Sequence, residues 1–482
     1  MAADAGTPDQ NTPDSSAPAP GPEGRGADRA GRSADELRAA VRDVLPGVRR
    51  DLEDLVRIPS VSADPTAQGD VQRSAEATAS LFRGEGFDVE ILTAAGSAPA
   101  VVARKAGPEG APTVLLYAHH DVQPVGERAE WESDPFEPTE RGERLYGRGA
   151  ADDKAGIAAH LAAIRAHGGT PPCGVIVFVE GEEEVGSPNL PAFLAEHRDR
   201  LRADVIVIAD STNWEIGVPA LTTTLRGNVD LFVDVATLDH GVHSGMWGGL
   251  VPDAMMALVR LLATLHDDAG NVAVEGLVAG PATDLDYPED RIREESSLLE
   301  GVELIGSGSA VERLWTKPSI SIIGLDTTRT DRASNTLIPS ARAKVSLRLA
   351  PGDEAGKALD ALIAHLEKHV PWGARLTITK GRESGQPGVI DAQGPVYDAA
   401  RAAFREAWDG TAPVDIGVGG SIPFIAAFQE AFPDAAVLVT GVEDPDTRAH
   451  GTNEGLHLGE FARVCLAETL LLAELDGQGD AG

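Results

Sequence analysis

Four short apolar runs in this chain of 482 residues lead towards acidic residues or histidines, and this recurrence constrains the fold more than any other feature. The runs span residues 114–118, 175–179, 205–209 and 437–440. Apolar runs of this length are typical of buried parallel strands. Ligands of open α/β sheets bind beyond the carboxyl ends of such strands. We therefore predict one crevice that collects the polar residues beyond these strands: His119, Asp121, residues 182–184, Asp210 and His450.

Two histidines and several carboxylates in one crevice form the donor set of a pair of divalent metal ions. Residues 119–121 leave the first strand, where residues two apart point to the same side. We predict that His119 binds a metal ion and that Asp121 fixes the tautomer of its imidazole. His120 points the other way and is expected to pack or to form a hydrogen bond.

A glycine-rich approach, residues 147–149, leads to Asp152 and Asp153 at the start of an alanine-rich helix. Acidic residues at a helix N-terminus often do no more than complement the helix dipole. In company with the other candidate ligands, however, this tight approach favours Asp152 as a carboxylate that reaches two ions at once. Asp152 is therefore our candidate bridge.

A run of three glutamates, residues 182–184, follows the second strand. A run of acids is usually a solvated surface, but the apolar residues on both sides draw some of these charges inward. We predict that Glu184 binds a metal ion and that Glu183 is the general base, because the base must lie within reach of a metal-bound water. Asp210 would bind one ion and His450 the other.

The charges of this site balance when two divalent ions are present. The carboxylates of Asp152, Glu184 and Asp210, together with a bridging hydroxide, neutralise the two ions. Carboxylates with imidazoles and without a thiolate suit zinc, manganese or cobalt better than magnesium or calcium. We expect two divalent ions, with zinc as the first choice and manganese or cobalt as alternatives.

The order of predicted elements indicates an α/β fold with an inserted domain. Between about residues 214 and 385 the elements follow the order β-α-β-β-α-β, which matches a ferredoxin-like unit. We expect a mainly parallel-sheet catalytic domain made of residues 34–213 and 386–482. The inserted domain carries a long irregular segment, residues 267–317, to which the sequence assigns no function. Residues 1–33 resemble a disordered tail in composition.

Helical patterns fill the start of the catalytic domain. Apolar residues recur with a helical period over residues 34–56, with Ser33 or Asp35 as the start of the helix. Pro46 is expected to kink or break this helix, since proline lacks the backbone donor. A second helix is predicted over residues 74–85.

Composition excludes several other classes of protein. Lys and Arg number 41 against 76 Asp and Glu, so the formal charge of −35 disfavours binding to nucleic acids and anionic membranes. Cys173 and Cys465 are too far apart in sequence to indicate a disulfide framework. No window is long and apolar enough to span a bilayer, and we predict a cytoplasmic protein with no membrane or nucleic-acid partner.

Several segments together resemble the motifs of the co-catalytic metallopeptidase family. They are HHDVQP at residues 119–124, GRGAADDK at 147–154, EEEVGS at 182–187, and Asp210. This family holds carnosinase-type dipeptidases, carboxypeptidase G, acetylornithine deacetylase and succinyl-diaminopimelate desuccinylase. The resemblance covers about residues 35–475, and the first motif, with His450 ahead of Thr-Asn-Glu, is most similar to the dipeptidase branch.

The resemblance implies the same ligand set and base that the residues themselves indicate. It also implies that the inserted domain is a lid that dimerises, and that His243 reaches the partner's site to stabilise the tetrahedral oxyanion. Arg348 matches a residue that holds the substrate carboxylate, a task suited to a planar bidentate donor. Further positions match weaker substrate contacts: Asn335, Gly420 and Ser421. Residues 382–385 lack a histidine that carnosinase-like relatives often carry, which argues against carnosine as the substrate.

We therefore predict a homodimeric metallopeptidase that hydrolyses dipeptides or short peptides by means of a water activated by two metal ions. An N-acyl amino acid amidohydrolase with the same metal centre is the first alternative, and kinetics on the two substrate types would separate them. The second alternative is a binding protein that has kept the fold without catalysis. It is disfavoured because every ligand and the base are present.

Overall fold

The computed structural model describes residues 32–281, 284–419 and 423–475, so the predicted tail falls outside the described residues except for its last two. The strands are β1 Asp88–Leu92, β2 Ala100–Lys105, β3 Thr113–His119, β4 Thr139–Arg141, β5 Arg144–Tyr146, β6 Gly174–Glu180, β7 Val205–Ile208, β8 Ala220–Leu225, β9 Gly227–Ala236, β10 Val242–His243, β11 Ser319–Asp326, β12 Thr336–Leu337, β13 Ser340–Leu349, β14 Arg375–Gly385, β15 Gly388–Val389, β16 Val414–Val418, β17 Ala436–Val439 and β18 Gly455–His457. The α-helices are α1 Ala34–Val56, α2 Gln68–Gly84, α3 Lys154–Ala166, α4 Leu190–Glu196, α5 Arg198–Leu201, α6 Ser244–Trp247, α7 Ala254–Ala263, α8 Glu289–Glu295, α9 Ala355–His369, α10 Pro395–Ala407, α11 Pro423–Ala431 and α12 Leu458–Leu475.

The largest sheet confirms the predicted α/β class. Its strand order is β1-β2-β6-β3-β7-β17. The four strands predicted from apolar runs, β3, β6, β7 and β17, lie side by side and pair in parallel. The loops that carry the candidate ligands therefore leave the same edge of the sheet. The sequence pattern missed β2, which pairs with β1 and β6 in antiparallel fashion.

Helices α1, α3 and α12 pack against one another beside this sheet. Lys154 is fully buried at the start of α3, and its ammonium donates to the carbonyls of Leu55 at 2.8 Å and Ile58 at 2.7 Å. His160 of α3 pairs with Glu468 of α12 at 2.9 Å. These contacts fix α3, and therefore the loop before it, against the rest of the layer.

Of the two outcomes expected at Pro46, a kink or a break, the break does not occur, because α1 is assigned as one helix through this residue. Pro46 and Arg42, whose carbonyl loses its helical donor, are both exposed, so water can satisfy that carbonyl. Ser33 is the N-cap of α1 and forms a capping box with Glu36. Helix α2 starts at Gln68, earlier than the predicted residue 74.

A second, antiparallel sheet has the order β11-β13-β9-β14 and its own apolar core, against which α7 and α9 pack. Its elements follow the predicted β-α-β-β-α-β order. We propose that this unit, within residues 214–385, is the inserted lid domain, and that residues 34–213 and 386–482 form the catalytic domain. Strand β8 pairs with β15 and β16, so the chain passes between the sheets at Arg226.

The irregular segment 267–317 contains α8 and a π-helical turn, Glu312–Thr316. Two of its aromatic side chains contact Trp214, which follows the catalytic strand β7. The ring centroids of Trp214 and Tyr287 are 4.8 Å apart, and those of Trp214 and Trp315 are 5.9 Å apart. The segment thus packs beside the loop that follows Asp210. Of the helices described, none combines the length and apolarity needed to cross a membrane.

Candidate metal centre

The structure brings the five predicted metal ligands and the predicted base into one cluster. Ligand atoms of His119, Asp152 and Glu184 lie within 4.8 Å of one another, as do those of His119, Glu183 and Asp210. His450 joins them, with its Nε2 at 3.0 Å from Asp152 Oδ2 and 3.3 Å from Glu184 Oε2. The convergence expected from the strand ends is therefore present.

Asp152 has the geometry of a shared carboxylate. Its Oδ1 lies 3.0 Å from His119 Nε2, and its Oδ2 lies 3.0 Å from His450 Nε2. Each oxygen thus faces a different imidazole, with Glu184 on the His450 side and Asp210 on the His119 side. A carboxylate with one oxygen directed to each of two donor groups can bridge two ions.

Asp121 connects His119, the predicted ligand, to the loop of Glu183, the predicted base. The Nδ1 of His119 lies 3.1 Å from the Asp121 carbonyl and 3.4 Å from its carboxylate. The same carboxylate accepts the backbone N–H groups of Glu183 at 3.2 Å and Glu184 at 3.1 Å. Asp121 therefore orients the imidazole and the glutamate loop together. His120 hydrogen-bonds the carbonyl of Pro99 through Nε2 at 2.8 Å, as the alternation of the strand predicts.

The neighbours of Glu183 have separate roles in holding the loop. Glu184 accepts the backbone N–H of Gln123 at 2.9 Å, and the Gln123 side chain donates to the Glu184 carbonyl at 3.1 Å. Glu182 is turned elsewhere, since its carboxylate accepts the backbone N–H groups of Ala98 and Asn189. Of the three consecutive glutamates, only Glu183 and Glu184 face the cluster.

The electrostatics of the cluster match a site built for cations. Burial, followed by the Asp152 charge, raises the pKa of Glu184 to about 8. Burial also raises the pKa of Asp210 to about 6, and that of Glu183 well above its ordinary range with Asp210 as the next cause. Burial opposes ionisation of Asp152 as well, but hydrogen bonds with His119 and His450 hold its pKa well below the usual value. Carboxylates crowded in this way resist ionisation unless cations are near them. Together with the two imidazoles, they form a donor set that fits two divalent ions.

The sequence prediction missed a buried ion pair behind the cluster. Arg148 and Glu454 are at most 1% exposed, and Arg148 Nη1 lies 2.7 Å from Glu454 Oε2. Glu454 Oε1 accepts the backbone N–H groups of Ala151 at 2.9 Å and Asp152 at 3.1 Å, while Oε2 accepts that of Gly149 at 3.0 Å. The pair therefore fixes the position of the backbone at Asp152.

The same pair also holds the loop that carries His450. Arg148 Nη2 donates to the carbonyl of Gly451 at 2.9 Å. The backbone of His450 has a φ of 61°. Residues other than glycine rarely adopt this conformation unless the surroundings impose it. The side chain of Asn453 ties the loop to the backbone of Glu130 and Glu132 at 2.9 Å. Both residues of the ion pair fall in segments that resemble family motifs, but 306 positions separate them, so their pairing could not be recognised from the sequence.

Two predicted site residues lie outside the cluster but beside each other. His243 ends β10 and pairs in register with Thr336 of β12, while the carbonyl of Asn335 accepts the N–H of Ser244 at 2.9 Å. His243 and Asn335 are both exposed. Within one chain their local contacts are to each other's loops and not to the ligands.

The remaining candidates have different outcomes. Arg348 is half-buried in β13, opposite Asn228 of β9 and Ser319 of β11. The structure thus places it at the end of the second sheet that adjoins Arg226. Gly420 and Ser421 lie outside the described residues, and their predicted substrate contacts stay predictions.

The chain matches the family described as peptidase family M20/M25/M40 over residues 115–473. That span includes every residue of the metal cluster. The chain belongs to this family and is a metallopeptidase, an enzyme of the hydrolase class.

Individual relatives resemble most of the chain. It is 34% identical over 394 residues to the cysteinylglycine-S-conjugate dipeptidase of Corynebacterium striatum, which covers 80% of this chain and 86% of that protein. It is 30% identical over 454 residues to the Beta-Ala-His dipeptidase of Homo sapiens, covering 88% and 85%. The crystal structure of human carnosine dipeptidase 1 matches with a TM-score of 0.78 at 25% identity, covering 93% of this chain and all of that one.

Proposed function

We propose that this protein is a metal-dependent dipeptidase that hydrolyses dipeptides or short peptides. The observation that carries the proposal is the placement of Asp152 between two imidazoles, with Glu183 Oε2 at 3.9 Å from the Nε2 of one of them, His119. Membership of the metallopeptidase family and the similarity to proteins named as dipeptidases support the same reaction.

The donor set supports a site for each of two ions. His119, Asp152 and Asp210 would hold one, and Asp152, Glu184 and His450 would hold the other. Zinc is the expected metal, with manganese or cobalt as alternatives. When bound, the two ions supply Lewis acidity towards the scissile carbonyl and lower the pKa of water in the site.

Glu183 would carry the proton transfers of the reaction. Burial, and then the nearby Asp210 charge, raise the pKa of Glu183, and its Oε2 lies 3.9 Å from His119 Nε2, beside the predicted ligands. Glu183 would accept a proton from the attacking water and deliver it to the amine that leaves. Because Asp121 accepts its backbone N–H, the base has a fixed position relative to His119.

The exposed loop of His243 supports a homodimer as the working unit. Met246 and Leu250, just after His243, are 75% and 81% exposed. Strand β11 is an edge strand that exposes Ile322, Ile323 and Leu325. Exposed apolar patches and open strand edges mark interaction surfaces. A second copy covering this face would bring His243 of the partner subunit to the cluster, where it would stabilise the oxyanion.

The first test is metal-dependent activity. The protein is stripped with a chelator and reloaded with zinc, manganese or cobalt, and each form is assayed on dipeptides and on N-acyl amino acids. We expect hydrolysis of dipeptides to return with metal. Activity on N-acyl amino acids alone would replace the proposal with a deacylase, and inactivity with two metals bound would contradict both. The cytoplasmic location stays a prediction.

A further inference from the structure

Arg226 is a buried cation at the junction of the two sheets, between β8 and β9. It is 8% exposed. Among the described residues, its Nη1 contacts neutral groups: the Ser319 hydroxyl at 3.1 Å and the carbonyls of Lys317 and Arg313 at 3.4 and 3.5 Å. In the same part of the chain, its Nε has no hydrogen-bond partner. A buried guanidinium with such weak contacts lacks the anion that would normally offset its desolvation.

The surroundings of Arg226 add a second positive charge instead of an anion. Arg348 pairs in register with Ser319, the residue whose hydroxyl Arg226 contacts. Burial, and then the charge of Arg348, lower the pKa of Arg226 to about 10. Within the described part of the chain, no carboxylate forms an ion pair with either arginine. Two adjacent guanidiniums without acids are unusual in a chain whose formal charge is −35.

Arg226 lines a cavity of about 240 Å³. Its wall includes Thr212 and Asn213, which follow Asp210, and Gly417 and Gly419, which lead to the predicted substrate contacts at 420 and 421. The cavity therefore adjoins the loop that follows Asp210. Small-molecule sites usually exceed about 300 Å³, so this volume fits one substrate side chain better than an independent ligand.

Gly419 leaves room for the guanidinium. A Cβ at this position would lie 2.9 Å from Arg226 Nη2. A side chain at residue 419, just after β16, would therefore require the guanidinium of Arg226 to shift. The other cation of the cavity, Arg291, is already neutralised by Glu215 and Glu295 and stacks on Trp214 at 4.2 Å. Arg226 is therefore the cation of this cavity that is available to a ligand.

We propose that Arg226 binds the side-chain carboxylate of an acidic C-terminal residue in the substrate, and so favours dipeptides that end in glutamate or aspartate. This inference rests on the proposed dipeptidase function, with Arg348 binding the α-carboxylate. Two neighbouring guanidiniums match the two carboxylates of such a residue, because arginine pairs with a carboxylate through parallel hydrogen bonds.

The test compares isosteric substrates in the metal-loaded enzyme. Ala-Glu and Ala-Gln differ in one charged group, as do Ala-Asp and Ala-Asn. We expect kcat/KM to be at least about tenfold higher for the acidic member, and R226Q to remove this ratio while Ala-Gln turnover changes little. R291Q is the matched control, since Arg291 lines the same cavity but is already paired, and it should keep the ratio.

Two outcomes would overturn the proposal: no preference for the acidic substrates in the unaltered enzyme, or an equal loss on both members of each pair in R226Q. If R226Q does not fold, product inhibition of the unaltered enzyme gives the answer, because L-glutamate should inhibit more strongly than L-glutamine. Equal inhibition would contradict the proposal. Failure of the dipeptidase function is a different result, namely no hydrolysis of any dipeptide with metals bound. In that case, thermal shifts of the metal-free protein with the two amino acids test the Arg226 site directly.

Discussion

The metal cluster and the loop of His243 are both predicted parts of one active site, yet they differ in how the chain supports them. His119 and Asp121 are fully buried, and several hydrogen bonds fix each of them. His243 is exposed, and within the described residues its ring accepts one hydrogen bond, from the N–H of Gly245 at 3.0 Å. One chain thus brings the predicted metal ligands together, whereas the oxyanion contact proposed for His243 would need a second surface. The comparison separates what a monomer can do from what needs a dimer.

The largest effect on activity should come from a substitution of Glu183, which lies in the metal cluster. Glu183→Gln keeps the shape of the side chain but removes the base, so kcat should fall by about 10³-fold or more while both metals stay bound. Steady-state kinetics with metal analysis checks this. Glu182→Gln is the matched control, because Glu182 faces Ala98 and Asn189 and should matter far less. Near-normal activity in Glu183→Gln would exclude it as the base.

A substitution of His243 tests the role of its exposed loop. His243→Ala should lower kcat by about 10²-fold, with metal content and folding unchanged, since one donor to the oxyanion is lost. His240→Ala is the control, because His240 is also exposed on this loop. Mixing the inactive Glu183→Gln and His243→Ala chains should restore activity, since one site of the mixed dimer has both residues. Mixed dimers that form without any gain in activity would show that His243 acts within its own chain or not at all.

The apolar face around His243 gives a smaller, concentration-dependent effect. Leu250→Asp places a charge on the proposed dimer face, so sedimentation should show a shift towards monomer, and activity per chain should fall on dilution towards the His243→Ala level. Leu299→Asp is the control, because Leu299 is 75% exposed in a different segment. A monomeric Leu250→Asp protein with full activity would contradict the dimer requirement.

The sequence predicted the residues that meet in the metal cluster because each follows or adjoins a recognisable element. His119 ends β3, and Glu184 and Asp210 come soon after β6 and β7. The strands that it missed are short or mixed in composition, such as β15 and β16, and their pairing with β8 is long-range. Pro46 shows the limit of a local rule, since packing on the buried face of α1 retains the helix. The Arg148–Glu454 pair could not be predicted, because its residues lie in two loops that are distant in sequence. A single sequence does not show which distant loops meet.

The Arg148–Glu454 pair supports the metal cluster from within one chain, and it yields the smallest predicted effect on catalysis. Glu454→Gln replaces one of the two carboxylate oxygens that accept the backbone N–H groups around Asp152. It also leaves Arg148 buried without its charge partner. We expect affinity for the ion at Glu184 and His450 to fall by about 10- to 100-fold, with a smaller change at His119 and Asp210.

Metal titration followed by calorimetry measures both affinities. Glu468→Gln is the matched control, because Glu468 is also buried in an ion pair, with His160, but does not contact the ligand loops. It should lower stability without changing either affinity. Equal metal binding in the two variants would show that the loops of Asp152 and His450 hold their geometry without the ion pair.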